Sequence, residues 1–343
     1  MKSGISVVIC CYNSAGLLPR TLKFICEQKI NAAVNWEIII IDNNSSDKTS
    51  ETAEQLLKEY KCPVAYKILT QRKQGLSSAR KMGLDNSQYE YILFCDDDNW
   101  LDDKYLETGF QILEENIKIG ALGGQSVAET EGSIPTWFFE NKQNYSIGKQ
   151  AKESGDITWS NGVLWGAGMF VRSTALNQLY INGFKSLLTD RKGSQLSSGG
   201  DTELCFAIRL AGWVIWYDER LILKHFLPDE RLKWLYLRKL SRGFGAQKAD
   251  FDPYLNIFEE LPSYKQKWQY QSLKLIRKIR GYGIKKLINF NNLSEGDPEV
   301  LRIEKSLGRL EELLKIRGLY SRRIKSIRNA KWRKVFSPGE IYF

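Results

Sequence analysis

Buried-strand runs alternate with helical periodicities along the first third of the chain. "ISVVICCY" (residues 5–12), "WEIIIID" (36–42), "VAYKILT" (64–70) and "YEYILFC" (89–95) are short, β-rich and mostly apolar, the pattern of strands covered on both faces. Between them lie segments with helical spacing. Residues 15–29 place Leu17, Leu18, Leu22, Ile25 and Cys26 on one side. "NSSDKTSETAEQLLKEY" offers Ser46 or Asp47 as an N-cap. "GLSSARKMGLD" opens a third helix, and residues 103–116 form a fourth. The alternation predicts an α/β fold, a mostly parallel Rossmann-like sheet with helices on both faces.

Residues 125–160 lose this rhythm and carry Trp137, Phe138, Phe139, Tyr145 and Trp159. They are expected to form a long functional loop with short strands. "NGVLWGAGMFVRSTAL" resumes with strand then helix, "GGDTELCFAIRLAGW" opens another helix, and "VIWYD" and "LILK" read as strands. Beyond about residue 228 the pattern turns helical. "DPEVLRIEKSLGRLEELLKIRG" has Asp297 as N-cap, Pro298 at the first helical position and Gly318 as a stop. Ile303, Leu307, Leu310 and Leu314 form a stripe expected to dock on the body.

Charge sharpens the division. Residues 1–220 carry 23 Lys/Arg and 27 Asp/Glu, whereas residues 221–343 carry 27 and 13. A near-neutral body thus bears a basic, helical C-terminal region (229–343). Such a region suits an anionic membrane surface or nucleic acid, but no nucleic-acid module is recognisable and no nucleic-acid partner is expected. In "SLKLIRKIRGYGIKKLINF", Leu273, Ile276 and Ile279 recur every three residues among Lys274, Arg277, Lys278 and Arg280. That helix either lies on an anionic leaflet or packs on the body with a solvated basic face. The six cysteines lack CxxC spacing, which points to a reducing compartment without structural zinc. The N-terminus reads as a strand rather than a signal peptide, and no apolar run is long enough to span a membrane. The expected location is cytoplasmic, with peripheral attachment to the inner face of the membrane as an option.

Candidate chemistry gathers where strands end, because ligands of open α/β sheets bind outside the carboxyl ends of the strands. Asn13 follows the first strand, Asp42, Asn43 and Asn44 the second, and Asp96, Asp97 and Asp98 the fourth. Three adjacent carboxylates at a buried strand end repel one another and are costly to desolvate. Asp96 and Asp98, two apart on an extended backbone, would point the same way and could share one hard divalent cation, Mn²⁺ or Mg²⁺. A solvated acidic turn is the plainer alternative. Neither GxxxxGK[ST] nor GxGxxG follows the first strand, and "GALGG" and "GFG" are weak glycine clusters.

"SVVICCYN", "IIIIDNNSSD", "QGLSSARKMG", "YILFCDDDNWL", "GAGMFVR" and "GGDTELCFAIRLAGW" occur in the order seen in family 2 glycosyltransferases of the GT-A fold. The resemblance covers roughly residues 4 to 225. It implies an inverting, metal-dependent enzyme using a nucleotide-diphospho-sugar donor, UDP-linked by expectation, and a glycan or lipid-linked acceptor in bacterial surface-polysaccharide synthesis. It divides the body into a nucleotide-binding half (1–124) and an acceptor and catalytic half (125–228). It places Cys11, Tyr12 and Asn13 at the base, and Asp42 at the uracil edge with Asn44 nearby. Gly75 opens the helix whose Arg80 faces the nucleotide. Asp96 lies near ribose and metal, Asp97 with the nucleotide, Asp98 on the metal, and Trp165, Gly166, Ala167 and Gly168 beside the donor sugar.

Inverting transfer needs a general base for the acceptor hydroxyl. The family usually shows Glu-Asp where this chain has Gly200-Asp201. Asp201 is assigned as base, with helix capping as its alternative role and Glu203 as a candidate to share the work. His225, the sole histidine, is either a metal ligand or a half-buried surface residue. "RLAGW" lacks the QxxRW form of processive members. Two other readings stand beside the transferase: a nucleotidyltransferase, which should carry a glycine-rich phosphate loop near the first strand, and a degenerate GT-A-fold binding module.

Overall fold

The computed structural model describes residues 1–188, 199–259, 261–283, 287, 290 and 294–334. The strands are β1 (Lys2–Cys11), β2 (Trp36–Asp42), β3 (Tyr66–Thr70), β4 (Tyr89–Asp96), β5 (Asn99–Leu101), β6 (Ile119–Glu129), β7 (Gly155–Asp156), β8 (Met169–Arg172) and β9 (Val214–Phe226). The helices are α1 (Leu18–Cys26), α2 (Thr49–Glu59), α3 (Leu76–Asn86), α4 (Tyr105–Glu115), α5 (Thr136–Asn141), α6 (Ser173–Ile181), α7 (Gly200–Leu210), α8 (Trp234–Asp250), α9 (Asp252–Phe258), α10 (Trp268–Arg280), α11 (Pro298–Lys315) and α12 (Tyr320–Arg328).

Among the described residues the strands form one nine-stranded sheet in the order β3-β2-β1-β4-β8-β6-β9-β5, with β7 on β9. The first four strands in this order run parallel. β8 runs antiparallel to both β4 and β6, which makes the sheet mixed beyond β4. Side chains alternate across the pleat. Val8, Ile39, Ile41, Ile92 and Phe94 therefore pack against α3, α6 and α7 on one face. Val7, Ile9, Ile38, Ile40 and Leu93 meet α1, α2 and α4 on the other. Both faces are covered, as the continuous apolar runs require.

Three local expectations change. "GALGG" lies within β6, where small residues let neighbouring elements approach closely; a Cβ at Gly124 would collide with the Leu221 carbonyl oxygen. "VIWYD" and "LILK" are parts of the single strand β9, whose pairing with β6 shifts register between Gly123 and Gln125. The segment 125–160 is also more ordered than a loop. β6 extends into it, and α5 and a 3-10 turn (Lys142–Tyr145) follow. Trp137, Phe138 and Tyr145 anchor a separate core with Leu227, Leu232, Leu237, Leu240 and Leu301. This core joins the segment to the C-terminal helices.

α11 starts as expected, with Asp297 Oδ1 accepting from Glu299 N at 2.8 Å and Pro298 in the first turn. Its buried face differs from the stripe in the sequence. Ile303 is buried, Leu307 and Leu310 are partly so, but Leu314 is exposed and Leu313 and Ile316 turn inward. α11 packs against α8 and α10. The crossing with α8 is close because Gly245 faces the Lys305 carbonyl and Gly308 the Arg242 carbonyl, leaving no space for a Cβ. Buried Glu304 pairs with Arg238 at 2.8 Å and Arg242 at 2.9 Å. Asp252 pairs with Arg309 at 2.9 Å, and Asp250 with Arg323 at 2.5 Å. Part of the region's positive charge is thus consumed internally.

In α10 the buried residues are Ser272 and Leu275, with Trp268 and Ile279 packed on the same small core. Leu273 and Ile276 are 57% and 37% exposed, so the three-residue spacing does not mark the packed face. Residues 284–286, 288 and 289 of this basic stretch lie outside the described residues. Among the described residues no helix is long and apolar enough to cross a membrane.

The glycine crossing makes a stability prediction. Gly→Ala inside a helix ordinarily gains up to ~1 kcal/mol of propensity. At Gly308 the new methyl meets backbone, and overpacking costs about 1–3 kcal/mol. Gly308→Ala should therefore lower unfolding free energy by about 1–2 kcal/mol in urea denaturation; a stabilised variant would show that the helices are farther apart.

Candidate functional site

A cavity of about 840 Å³ opens at the C-terminal ends of the parallel strands. Its wall includes Cys11, Tyr12, Gly75, Arg80, Asp96, Asp97, Asp98, Trp165, Gly166, Ala167, Asp201 and His225. These residues come from six separate stretches of sequence, and the sheet topology brings them together.

The loop after β1 is fastened to the loop after β2. Asn13, at φ 54°, accepts from Ser46 N at 2.8 Å, while its own N–H donates to Ser45 Oγ at 3.0 Å. Asp42 accepts from Ser45 N at 2.9 Å and from Ser50 Oγ at 2.6 Å. Asn44 is exposed in a left-handed turn. Asn13 therefore binds loop to loop and Asp42 braces its own loop, and neither they nor Asn44 line the cavity wall, where contact with the base was expected. Asn43 faces the cavity instead. Its amide donates to Gln71 O and Lys73 O at 3.0 and 2.9 Å and accepts from Gly75 N at 2.7 Å, holding the entry to α3. Gly168 is also off the wall. At φ 67° it sits against Leu223 and Tyr105, whose hydroxyl donates to the Gly168 carbonyl at 2.6 Å.

The three aspartates diverge. β4 ends at Asp96, and the chain turns at Asp97 and Asp98 before entering β5. The extended geometry expected to align Asp96 with Asp98 is therefore absent. Asp96 is half-buried on the cavity wall. Asp97 accepts from Ser14 Oγ, and its carboxyl is pushed up to about 7 by burial and by the adjacent Asp98 charge. Asp98 is 4% exposed. Asn99 Nδ2 donates to its Oδ1 at 3.0 Å, and its Oδ2 lies 3.5 Å from His225 Nε2 and 3.0 Å from Arg231 Nη1. His225 is directly opposite Asn99 in the β5–β9 ladder and is 9% exposed, so the pairing itself aims its ring at Asp98.

Among the described residues no three of His, Cys, Asp and Glu cluster as a metal site. The Asp98–His225 pair alone still fits a hard divalent ion. Such ions often take one or two protein ligands and complete their shell with water and substrate phosphates, and this pair opens on a cavity large enough for them.

Asp201 lies in the first turn of α7. Gly166 N donates to its Oδ2 at 2.7 Å, and Thr202 N to its Oδ1 at 2.8 Å. A Cβ on Gly166 would lie 2.5 Å from Arg80 Nη2 and 3.3 Å from Asp201 Oδ2. Only glycine allows the guanidinium and the carboxylate to converge there. Trp165 is held by Gln150 Oε1, which accepts from its N–H at 2.6 Å. Trp159 instead contacts Phe258 and Arg209, and Trp213 donates to Gln178.

Glu203 is not on this wall. It is 1% exposed and accepts from Ser186 Oγ, Leu187 N, Leu188 N and Tyr254 Oη. Burial raises its pKa against those donors. It ties α7 to the segment before it and to α9.

Sequence reasoning placed Asn43 only among the strand-end candidates and assigned no role to Gln150 or Arg231, nor to the C-terminal wall formed by Tyr236, Leu240, Phe244, Gln247, Lys248 and Lys305. Their partners are distant in sequence. The one local signal was Arg231, an arginine six residues after the only histidine.

The Glycosyl transferase family 2 model matches residues 6–179, about half of the chain. The chain belongs to this family. It is 32% identical over 136 residues to the poly(ribitol-phosphate) beta-N-acetylglucosaminyltransferase TarP of Staphylococcus aureus, which covers 40% of this chain and 41% of TarP. It is 26% identical over 255 residues to the GalNAc(5)-diNAcBac-PP-undecaprenol beta-1,3-glucosyltransferase of Campylobacter jejuni, covering 74% and 72% of the two chains. The match spans less than half the length of TarP, and 28% of the cholesterol galactosyltransferase of Borreliella burgdorferi. Among solved structures, a mannosyltransferase from Pyrobaculum calidifontis in complex with GDP-Man and Mn²⁺ superposes with TM-score 0.57 at 14% identity, covering 92% of this chain and 87% of that one. This likeness supports the GT-A fold.

Proposed function

We propose that the protein transfers a sugar, with inversion, from a nucleotide-diphospho-sugar to a hydroxyl of a glycan or lipid-linked acceptor. UDP-linked sugars are the expected donors, and bacterial surface-polysaccharide synthesis at the inner face of the membrane is the expected setting. The observation that carries this reading is the placement of Asp98–His225 and Asp201–Gly166–Arg80 on one strand-end cavity in a family 2 chain.

The chemistry follows from these positions. The nucleotide is assigned to the side walled by Cys11, Tyr12, Asn43 and Gly75. Asp98 and His225 would hold a divalent cation, which when bound offsets charge on the departing diphosphate. Arg80 adds a cation on the sugar side. The acceptor oxygen bonds to the anomeric carbon as the bond to the diphosphate breaks, and Asp201 takes the hydroxyl proton. The two N–H groups on Asp201 fix its carboxylate for that transfer. α8 and α11 supply Leu240, Phe244, Lys248 and Lys305 as the acceptor wall. The nucleotidyltransferase reading lacks its glycine-rich phosphate loop. The binding-module reading is disfavoured by retention of Asp98, His225 and Asp201 on one cavity.

Asp201→Asn keeps the size of the side chain but accepts from only one of the two N–H groups and is a far weaker base. It should lower kcat by roughly 10²–10⁴-fold while nucleotide affinity stays within a few-fold. Glu203→Gln should shift melting temperature more than kcat. The reverse pattern in steady-state kinetics would move the base to Glu203.

The exposed side of α10 carries Leu273 and Ile276 with Lys274, Arg277, Lys278 and Arg280, which supports contact with an anionic leaflet. Changing the four basic residues to Glu should release the protein from phosphatidylglycerol vesicles in a flotation assay and leave soluble-acceptor turnover intact. Equal flotation of both forms would leave α10 a purely structural helix.

A further inference from the structure

Asp98 Oδ2, His225 Nε2 and Arg231 Nη1 form a triangle with sides of 3.0, 3.4 and 3.5 Å. The shortest side joins Asp98 to Arg231. A carboxylate this deeply buried needs a cationic or hydrogen-bonded partner, because an uncompensated charge is costly away from water. The guanidinium supplies it. Yet it does so at the position where a divalent ion shared by Asp98 and His225 would stand. An ion bound by both side chains would compete with the guanidinium for the same Asp98 oxygen. An arginine is permanently charged, so it and the ion cannot both occupy that place.

The surroundings allow the arginine to leave. Arg231 lies on the 3-10 turn Asp229–Leu232 between β9 and α8. Its backbone is fixed by Pro228 O at 2.8 Å and by Leu232 in the core around Trp137. Its side chain remains 23% exposed and lines the large cavity. The head group can therefore turn on its stem without movement of the fold. A planar guanidinium is well matched to phosphate oxygens.

We propose that Arg231 is a placeholder for the metal. In the donor-free enzyme it neutralises Asp98 and contacts His225, and when the ion arrives with the nucleotide-diphospho-sugar it turns to the diphosphate. The inference rests on the donor and metal assigned above. It makes metal and donor binding cooperative, because each removes the obstacle that the other meets. It also keeps the free enzyme from filling its site with metal alone.

The test is direct titration of Mn²⁺, with free ion followed by electron paramagnetic resonance, for full-length wild type, R231Q, R231K and D98N, with and without UDP. Without UDP, R231Q should bind Mn²⁺ about tenfold more tightly than wild type or better, the scale expected when a like charge a few ångströms away is removed. R231K, which keeps the charge, should stay within a few-fold of wild type. UDP should tighten Mn²⁺ binding in wild type by a larger factor than in R231Q. If R231Q binds free Mn²⁺ no more tightly than wild type, the proposal falls. Should R231Q fail to fold, the wild type decides alone, since equal Mn²⁺ affinity with and without UDP overturns the proposal. D98N separates the two readings. If D98N binds Mn²⁺ with UDP as tightly as wild type, Asp98 holds no metal and the donor-site assignment fails with the proposal. If D98N loses binding while R231Q equals wild type, the metal site stands and only the placeholder is wrong.

Discussion

The burial of Asp98 at the end of β4 is the constraint from which the rest of the site follows. A carboxylate that is almost fully enclosed must be compensated, and each neighbouring element contributes. β5 supplies Asn99, β9 supplies His225 through its pairing with β5, and the turn before α8 supplies Arg231. The adjacent Asp97 bears the cost of its own burial and of that proximity, its carboxyl pushed up to about 7, and is bound by Ser14 from the loop after β1. The first strand, the central strand, the last strand and the C-terminal region therefore meet around one charge.

The C-terminal helices belong to this arrangement. α8 and α11 approach closely because glycines face carbonyls at their crossing, and Glu304, Asp250 and Asp252 absorb arginines within the region. What remains faces two ways. Lys248 and Lys305 line the cavity, and the basic residues of α10 face solvent. Glu203 completes the linkage by bonding to Tyr254 of α9 from within α7, so the helix that presents Asp201 is braced by the C-terminal region.

Much of the fold was legible because its signals are local. Four apolar runs became β1 to β4, and the N-cap Asp297 and Pro298 set the start of α11. β6 was hidden by its glycines, which sit close against Trp213, Leu164 and Leu221 and carry no apolar signature of their own. The inward turn of Leu313 and Ile316 depends on where α8 and α10 lie. The site followed the same division. Strand-end positions located the aspartates, since topology brings strand ends together, whereas Arg80 and Asp201, both on helices, were placed by the family resemblance. Backbone direction at individual residues was not readable. Asp97 and Asp98 turn away from the strand, and Asp42 is drawn into its own loop by Ser45 and Ser50 while Asn43 faces the cavity. Arg231 was invisible as a partner of Asp98 because 132 intervening residues carry no trace of their contact.

Calorimetric titration of the wild-type protein with UDP, in EDTA and then in Mn²⁺, tests the central claim most directly. An Asp98-centred site that reads a diphosphate through a cation predicts weak or undetectable heat in EDTA and saturable one-to-one binding in Mn²⁺. Equal UDP affinity under the two conditions would contradict it.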